Sequence, residues 1–97
     1  QQGLYVIALA EAQPQHAEEI RSILRRLVEA TRREAGCLSY ELFCDSANPA
    51  RVNTIEVWRD AAAFEAHMAA PHTTEALGAL QGKLAGAPEI RVLSKLA

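Results

Sequence analysis

The sequence predicts an α+β domain built on one antiparallel sheet, with its elements in the order βαββαβ. Two observations carry this prediction: four short runs suit β-strands, and the segments between them show helical periodicity. A chain of 97 residues has the length of one domain, so residues 1–97 are interpreted as a single unit. This order of elements is the ferredoxin-like, or split βαβ, arrangement.

The first strand and the long helix after it are the clearest elements. Leu4 to Ala10 is an apolar run rich in residues that favour strands. Pro14 stands where a helix often begins, because its missing N–H would have no partner there. Apolar residues then recur at three- and four-residue steps as far as Thr31, opposite a charged face. Gly36 is expected to end the helix in the left-handed conformation that glycine adopts readily.

The second and third strands are predicted at Cys37 to Asp45 and Val52 to Arg59, joined by a turn that contains Asn48-Pro49. Side chains alternate between the two faces of a strand. In the second strand, this alternation predicts one face of Leu38, Tyr40 and Leu42. In the third strand, it separates Thr54, Glu56 and Trp58 from Asn53, Ile55, Val57 and Arg59.

Two short helices and a last strand complete the pattern. Asp60 is a suitable N-cap for a helix from Ala61 to Ala70. Pro71 interrupts that helix, and a weaker one is predicted from about Thr74 to Leu84, where two glycines lower the helix propensity. The final strand is predicted at Glu89 to Lys95.

Composition and charge exclude some classes of function. Ten basic and twelve acidic residues give a net charge of −2, which excludes a strongly basic nucleic-acid binder. The longest apolar run, Leu4 to Ala10, is far shorter than the roughly 20 residues of a membrane helix. Cys37 and Cys44 are too far apart along one strand to form a bridge. Two reduced thiols and no signal-peptide pattern predict a cytoplasmic protein without nucleic-acid or membrane partners.

One face of the sheet needs a cover that the chain does not supply. Helices cover one face of such a sheet and leave the other open. Ile55 and Val57 are too apolar to lie in water if they point to the open face. A chain of this length buries only about 60–65% of its unfolded surface, so a partner would add to a modest core. We therefore expect a homodimer that closes sheet on sheet.

Several residues together resemble a known family. The pattern comprises Gly36-Cys37-Leu38-Ser39-Tyr40, Glu56-Val57-Trp58-Arg59-Asp60, Phe64, His67 and His72. It resembles the antibiotic biosynthesis monooxygenase family, and within it the small bacterial quinol-monooxygenase-like proteins. The resemblance runs from Leu4 to Leu96. It implies a dimeric α/β-barrel with a pocket between sheet and helices in each subunit. It also implies oxidation of aromatic polyketides or quinols by molecular oxygen without flavin, haem or metal.

With this resemblance, His67 becomes the candidate catalytic base and Glu56 its catalytic partner. A histidine suits proton transfer near neutral pH, and the helical spacing turns His67 inward beside Phe64. Glu56 could then orient the imidazole or raise its basicity through a hydrogen bond. The alternatives are that His67 is a hydrogen-bonded core residue and that Glu56 forms a buried structural contact.

Four further residues are candidates for substrate binding. Trp58 and Phe64 offer flat apolar surfaces to an aromatic substrate, although Trp58 could equally belong to the core. Tyr40 could donate its hydroxyl to a substrate oxygen or lie in the dimer interface. His72 follows a helix break and could lie at the pocket rim or on the surface.

No metal site and no cofactor are expected. His67 and His72 are five residues apart with a proline between them, and no third ligand is obvious in the sequence nearby. The haem-degrading members of the family that this sequence resembles carry an asparagine on the first strand. The run from Leu4 to Ala10 has no asparagine, which disfavours haem degradation.

The expected function is a cofactor-independent monooxygenase that acts on a hydroquinone or polycyclic phenol. One alternative is an isomerase of a small phosphorylated signalling sugar, for which Arg59 and Arg91 are the only candidate phosphate ligands. Another is a non-catalytic dimer that binds a small ligand.

Overall fold

The computed structural model describes residues 3–97 and has the predicted ferredoxin-like architecture. The strands are β1 (Leu4–Glu11), β2 (Cys37–Cys44), β3 (Arg51–Trp58) and β4 (Glu89–Leu93). The helices are α1 (Ala17–Thr31), α2 (Ala61–Ala69) and α3 (Pro71–Leu80). All neighbouring strands are antiparallel, in the order β2-β3-β1-β4.

Helix α1 is shorter at both ends than the sequence predicts. Pro14 begins a 3-10 turn that ends at His16, and the α-helix follows it. The helix ends at Thr31, and a turn then leads to β2. Gly36 is not in the left-handed conformation, which Gly82 alone adopts among the described residues. The reason for a glycine at position 36 is a close contact with α2, described below.

Helix α3 begins earlier than predicted because proline suits the first helical position. Pro71 therefore starts α3 and separates it from α2 without a longer loop. The helix ends at Leu80, shortly before Gly82, whose φ is 80°. Leu84, predicted to be helical, instead forms a β-bridge with Ala12.

An irregularity in β2 changes the predicted faces of that strand. The register against β3 shifts between Cys37 and Ser39, so Leu38 is the extra residue of a bulge. Leu38 is 61% exposed, whereas Tyr40 is buried in the core. The prediction that Leu38 shares a face with Tyr40 and Leu42 is therefore wrong.

The core lies between the sheet and the helices in two neighbouring clusters. The larger cluster joins α1 and α3 to the sheet through Ala12, Ile20, Ile23, Leu24, Leu27, Val52, Ala76 and Leu80. The smaller cluster joins the sheet to α1 and α2 through Val6, Val28, Tyr40, Trp58 and Ala63. The candidate site borders the smaller cluster.

The opposite face of the sheet carries apolar side chains. Thr54, Glu56 and Trp58 are buried on the helix side, as predicted, and Ile55 on the other side is 45% exposed. All five residues of β4 are exposed. None of the helices within residues 3–97 combines the length and apolar character that a bilayer crossing requires.

Candidate functional site

A small pocket lies between the helix side of the sheet and helices α2 and α3. Its volume is about 60 Å³. Four of the six predicted site residues line it: Tyr40, Glu56, Phe64 and His67. The rest of the lining is mostly apolar, with Leu77 and Ile90 at the exposed rim. The pocket therefore isolates a few polar groups in an apolar space, as ligand sites commonly do.

Aromatic rings hold His67 in place. The ring of Trp58 has its centroid 4.6 Å from that of His67 and 6.1 Å from that of Phe64. The Tyr40 ring lies 5.6 Å from His67 on another side. Trp58 is fully buried and does not line the pocket, so it packs behind the imidazole and fixes the plane of that ring.

Glu56 is held by its own strand. Its carboxylate accepts a hydrogen bond from Thr54 Oγ1 at 2.6 Å and another from Trp58 Nε1 at 2.9 Å. Residues two apart on a strand point to the same face, which makes these the nearest donors. Within residues 3–97, Glu56 forms no hydrogen bond with His67, so the expected Glu56–His67 pair is wrong.

The carboxylate that binds His67 belongs to Glu34. His67 Nδ1 donates to Glu34 Oε2 at 2.8 Å, and Thr73 Oγ1 lies 3.3 Å from the same nitrogen. A carboxylate can only accept, so Nδ1 carries a proton, and in the neutral form of the ring the lone pair is then on Nε2. No described residue forms a hydrogen bond with Nε2, which leaves that nitrogen available to a pocket ligand.

His72 joins the same carboxylate from the solvent side. Its Nε2 donates to Glu34 Oε2 at 2.6 Å, and its side chain is 30% exposed. His72 lies in a surface groove between α1 and α3 and does not line the buried pocket. The argument that no third ligand lies near the two histidines is wrong, because Glu34 brings a carboxylate oxygen to both.

Glu34 is brought to His67 by a close approach of two segments. A Cβ at Gly36 would lie 2.3 Å from the Ala63 Cβ, so only glycine lets the turn approach α2 this closely. Ala63 and His67 are four residues apart and share one helix face. The turn after α1 therefore meets α2 at Gly36 and at Glu34. A glutamate two residues before a glycine, beyond the last periodic residue of α1, was the signal for Glu34 in the sequence.

Tyr40 remains a phenol in the pocket. Burial raises the pKa of its hydroxyl, the negative charge of Glu56 raises it further, and a hydrogen bond with Thr54 opposes the rise. The side chain is thus a hydrogen-bond donor at any physiological pH. It can serve an oxygen atom of a ligand but cannot act as a base.

Comparison with known proteins agrees with this fold. The family model described as antibiotic biosynthesis monooxygenase matches residues 3–79. This chain belongs to that family. A crystal structure described as an antibiotic biosynthesis monooxygenase is 31% identical, with a TM-score of 0.93 over 97% of this chain and 99% of its own. A crystal structure of a Pseudomonas aeruginosa protein is 37% identical, with a TM-score of 0.93 over 100% of this chain and 97% of its own.

This chain is also similar to part of a longer protein. An uncharacterised Synechocystis protein is 29% identical over 82 residues, which cover 84% of this chain. The matched region spans only 56% of that relative. The comparisons thus assign this chain to a family named for monooxygenases.

Proposed function

We propose that this chain is a cofactor-independent monooxygenase that oxidises a hydroquinone or polycyclic phenol with molecular oxygen, and that it works as a homodimer. The observation that carries the proposal is the environment of His67. Its ring is 3% exposed, is flanked by aromatic rings, and has Nδ1 bound to Glu34 while Nε2 has no partner among the described residues. Two free cysteines favour a reducing, cytoplasmic setting.

His67 would act first, as the base. Its Nε2 accepts the phenolic proton, and Glu34 stabilises the imidazolium through Nδ1–H. The phenolate then gives one electron to dioxygen, and the resulting radical and superoxide recombine. The imidazolium returns its proton to the peroxide, and loss of water leaves one oxygen atom in the quinone product. Proton transfer therefore supplies what dioxygen needs, an electron-rich substrate.

The pocket walls would exclude water and hold the ring. Phe64 offers an aromatic surface, and Tyr40 donates a hydrogen bond to a substrate oxygen or to the reduced dioxygen. The closed volume of about 60 Å³ is well below the ~300 Å³ of the smaller ligand pockets, so it admits dioxygen but not an aromatic substrate. An aromatic substrate would enter by displacing the rim side chains Leu77 and Ile90.

The phosphorylated-sugar isomerase is disfavoured by the pocket lining. A phosphate needs cationic or backbone donors, and no lysine or arginine lines this pocket. Arg91 pairs with Glu89 at 2.9 Å on exposed β4, away from the pocket. The non-catalytic ligand-binding dimer is an outcome of the following test.

Oxygen uptake with hydroquinones and anthrones tests the proposal. Chelator-treated wild-type protein, His67→Ala and a blank without protein are compared, with His16→Ala as the matched control in the 3-10 turn before α1. We expect uptake above the blank in wild type and His16→Ala, and at least a tenfold loss, about 1.4 kcal/mol in barrier, in His67→Ala. Equal uptake by His67→Ala would remove the base from the mechanism. No uptake with any substrate, together with ligand-induced quenching of Trp58 fluorescence, would favour the binding protein.

A further inference from the structure

Three side chains from three segments converge beside the pocket. Glu34 comes from the turn after α1, His67 from α2 and His72 from the first turn of α3. Their ligand atoms all lie within 4.8 Å of one another, and this is the one such group of histidine, cysteine and acidic residues within residues 3–97. We infer that Glu34, His67 and His72 bind a divalent transition metal ion of the zinc type.

The donor set suits that ion. Two imidazole nitrogens and one carboxylate oxygen are the protein ligands of many zinc sites, and they leave a fourth position for water. Zinc-ligand distances of about 2.0–2.2 Å place neighbouring ligands of a tetrahedral ion about 3.4 Å apart. The hydrogen-bonded separations of 2.8 and 2.6 Å to Glu34 Oε2 are shorter, so the ligands must spread slightly. Glu34 and His72 can move, because their side chains are 17% and 30% exposed.

An ion can reach the three ligands without crossing the aromatic pocket. His72 lines a groove of about 290 Å³ between α1 and α3, together with Arg26 and Glu75. His72 is 30% exposed and bonds to Glu34, so it connects the groove to the cluster. The ring of His67, held by Trp58, is the rigid ligand, and the other two close on the ion. A rigid ligand on one side and an access route on the other are what a working metal site requires.

A bound ion would change the chemistry of His67. Coordination through Nδ1 uses the lone pair of that nitrogen, so the ring proton moves to Nε2. His67 can then no longer accept a proton from a pocket ligand. The metal-loaded protein would therefore lack the proposed oxygen uptake, whereas metal binding itself does not depend on the proposed function.

Calorimetric titration of the chelator-treated full chain with Zn²⁺ tests the site. We expect one ion per chain in the wild type and at least tenfold weaker binding in Glu34→Gln and in His72→Gln. The matched control is His16→Gln, which removes a partly exposed histidine that pairs with Glu19 at 3.3 Å, and it should bind like the wild type. Circular dichroism checks that each variant is folded. His72 is the substitution less apt to disturb folding, because its side chain is partly exposed.

Cobalt distinguishes this site from a cysteine site. Co²⁺ in place of Zn²⁺ should give the absorption of tetrahedral cobalt without a thiolate charge-transfer band, and Cys44→Ser should bind as the wild type does. No saturable binding, undiminished affinity in both site variants, or loss of binding in Cys44→Ser would each overturn the inference. If the wild type consumes oxygen, full uptake with stoichiometric Zn²⁺ bound would overturn the assignment of His67 as a ligand.

Discussion

At the scale of single residues, Thr31 is a buried polar group without a partner. Its side chain is fully buried at the end of α1, and its hydroxyl has no hydrogen-bond partner among residues 3–97. Burying an unsatisfied hydroxyl costs free energy that an isosteric methyl group does not. We expect Thr31→Val to raise the free energy of unfolding by about 1 kcal/mol. Urea denaturation followed by circular dichroism measures this change.

Thr54 provides the opposite case for comparison. Its hydroxyl donates to the buried carboxylate of Glu56 at 2.6 Å, so Thr54→Val leaves a charged acceptor with one donor fewer. This variant should lower the free energy of unfolding by about 1–3 kcal/mol. A Thr31→Val protein that unfolds at a lower urea concentration than the wild type would contradict the account of Thr31.

The sequence predicted the orientation of a side chain on its own helix or strand better than it predicted the residue that the side chain contacts on another element. Helical spacing correctly predicted that His67 points inward, and strand alternation correctly grouped Glu56 with Thr54 and Trp58 on one face. The carboxylate that binds the imidazole lies on a different segment, 33 residues away in the sequence, so the pairing depends on how the two segments pack together. Spacing carries no information on that approach, so Glu34 was missed and Glu56 was wrongly paired.

At the scale of elements, Gly36 sets the distance between the turn after α1 and helix α2. An added Cβ would stand 2.3 Å from that of Ala63, so Gly36→Ala must push α2 away. Overpacking of this kind costs about 1–3 kcal/mol. The displacement also separates Glu34 from His67. We expect a lower free energy of unfolding, measured in urea, and lower oxygen uptake if the wild type is active.

A second glycine gives the matched control. Gly78 lies within α3 with open space where a Cβ would stand, so Gly78→Ala should stabilise by up to about 1 kcal/mol. Adding Ala63→Gly to Gly36→Ala should restore part of the loss, a coupling that a double-mutant cycle measures. Wild-type stability in Gly36→Ala alone would refute the close-approach argument.

Element order was predictable, but local irregularities were not. The alternating pattern of β3 and the periodic pattern of α1 reflect burial of one face, which the sequence records directly. The bulge at Leu38 and the start of α3 at Pro71 depend on how neighbouring strands and helices fit together. Pro71 was interpreted only as the interruption of the helix that begins at Ala61, but it is also the first residue of α3.

At the scale of the whole molecule, the outer face of the sheet carries exposed apolar side chains, with the charged residues Glu41 and Arg91 on its edge strands. Phe43, Ile55 and Leu93 are between 42% and 49% exposed. Their partners in the register are Asn53, Ile7 and Tyr5, which lie on the same face of neighbouring strands. Exposed apolar side chains grouped on one face are typical of an interaction site. The proposed homodimer would bury it against the same face of a second copy, because a twofold interface is self-complementary.

Ile55→Lys tests the homodimer at the centre of this face. The substitution places a charge, and in a twofold interface two charges, where apolar surfaces would meet, so we expect a monomer. Light scattering during size-exclusion chromatography measures the mass at matched concentrations. Val92→Lys is the control, since Val92 is 53% exposed but pairs with Val6 on the helix side of the sheet. A monomeric wild type, or a dimer that persists in Ile55→Lys, would show that the outer face is not the interface. Dissociation with the fold intact would show that the subunit is stable alone and that the dimer adds only a cover to the sheet.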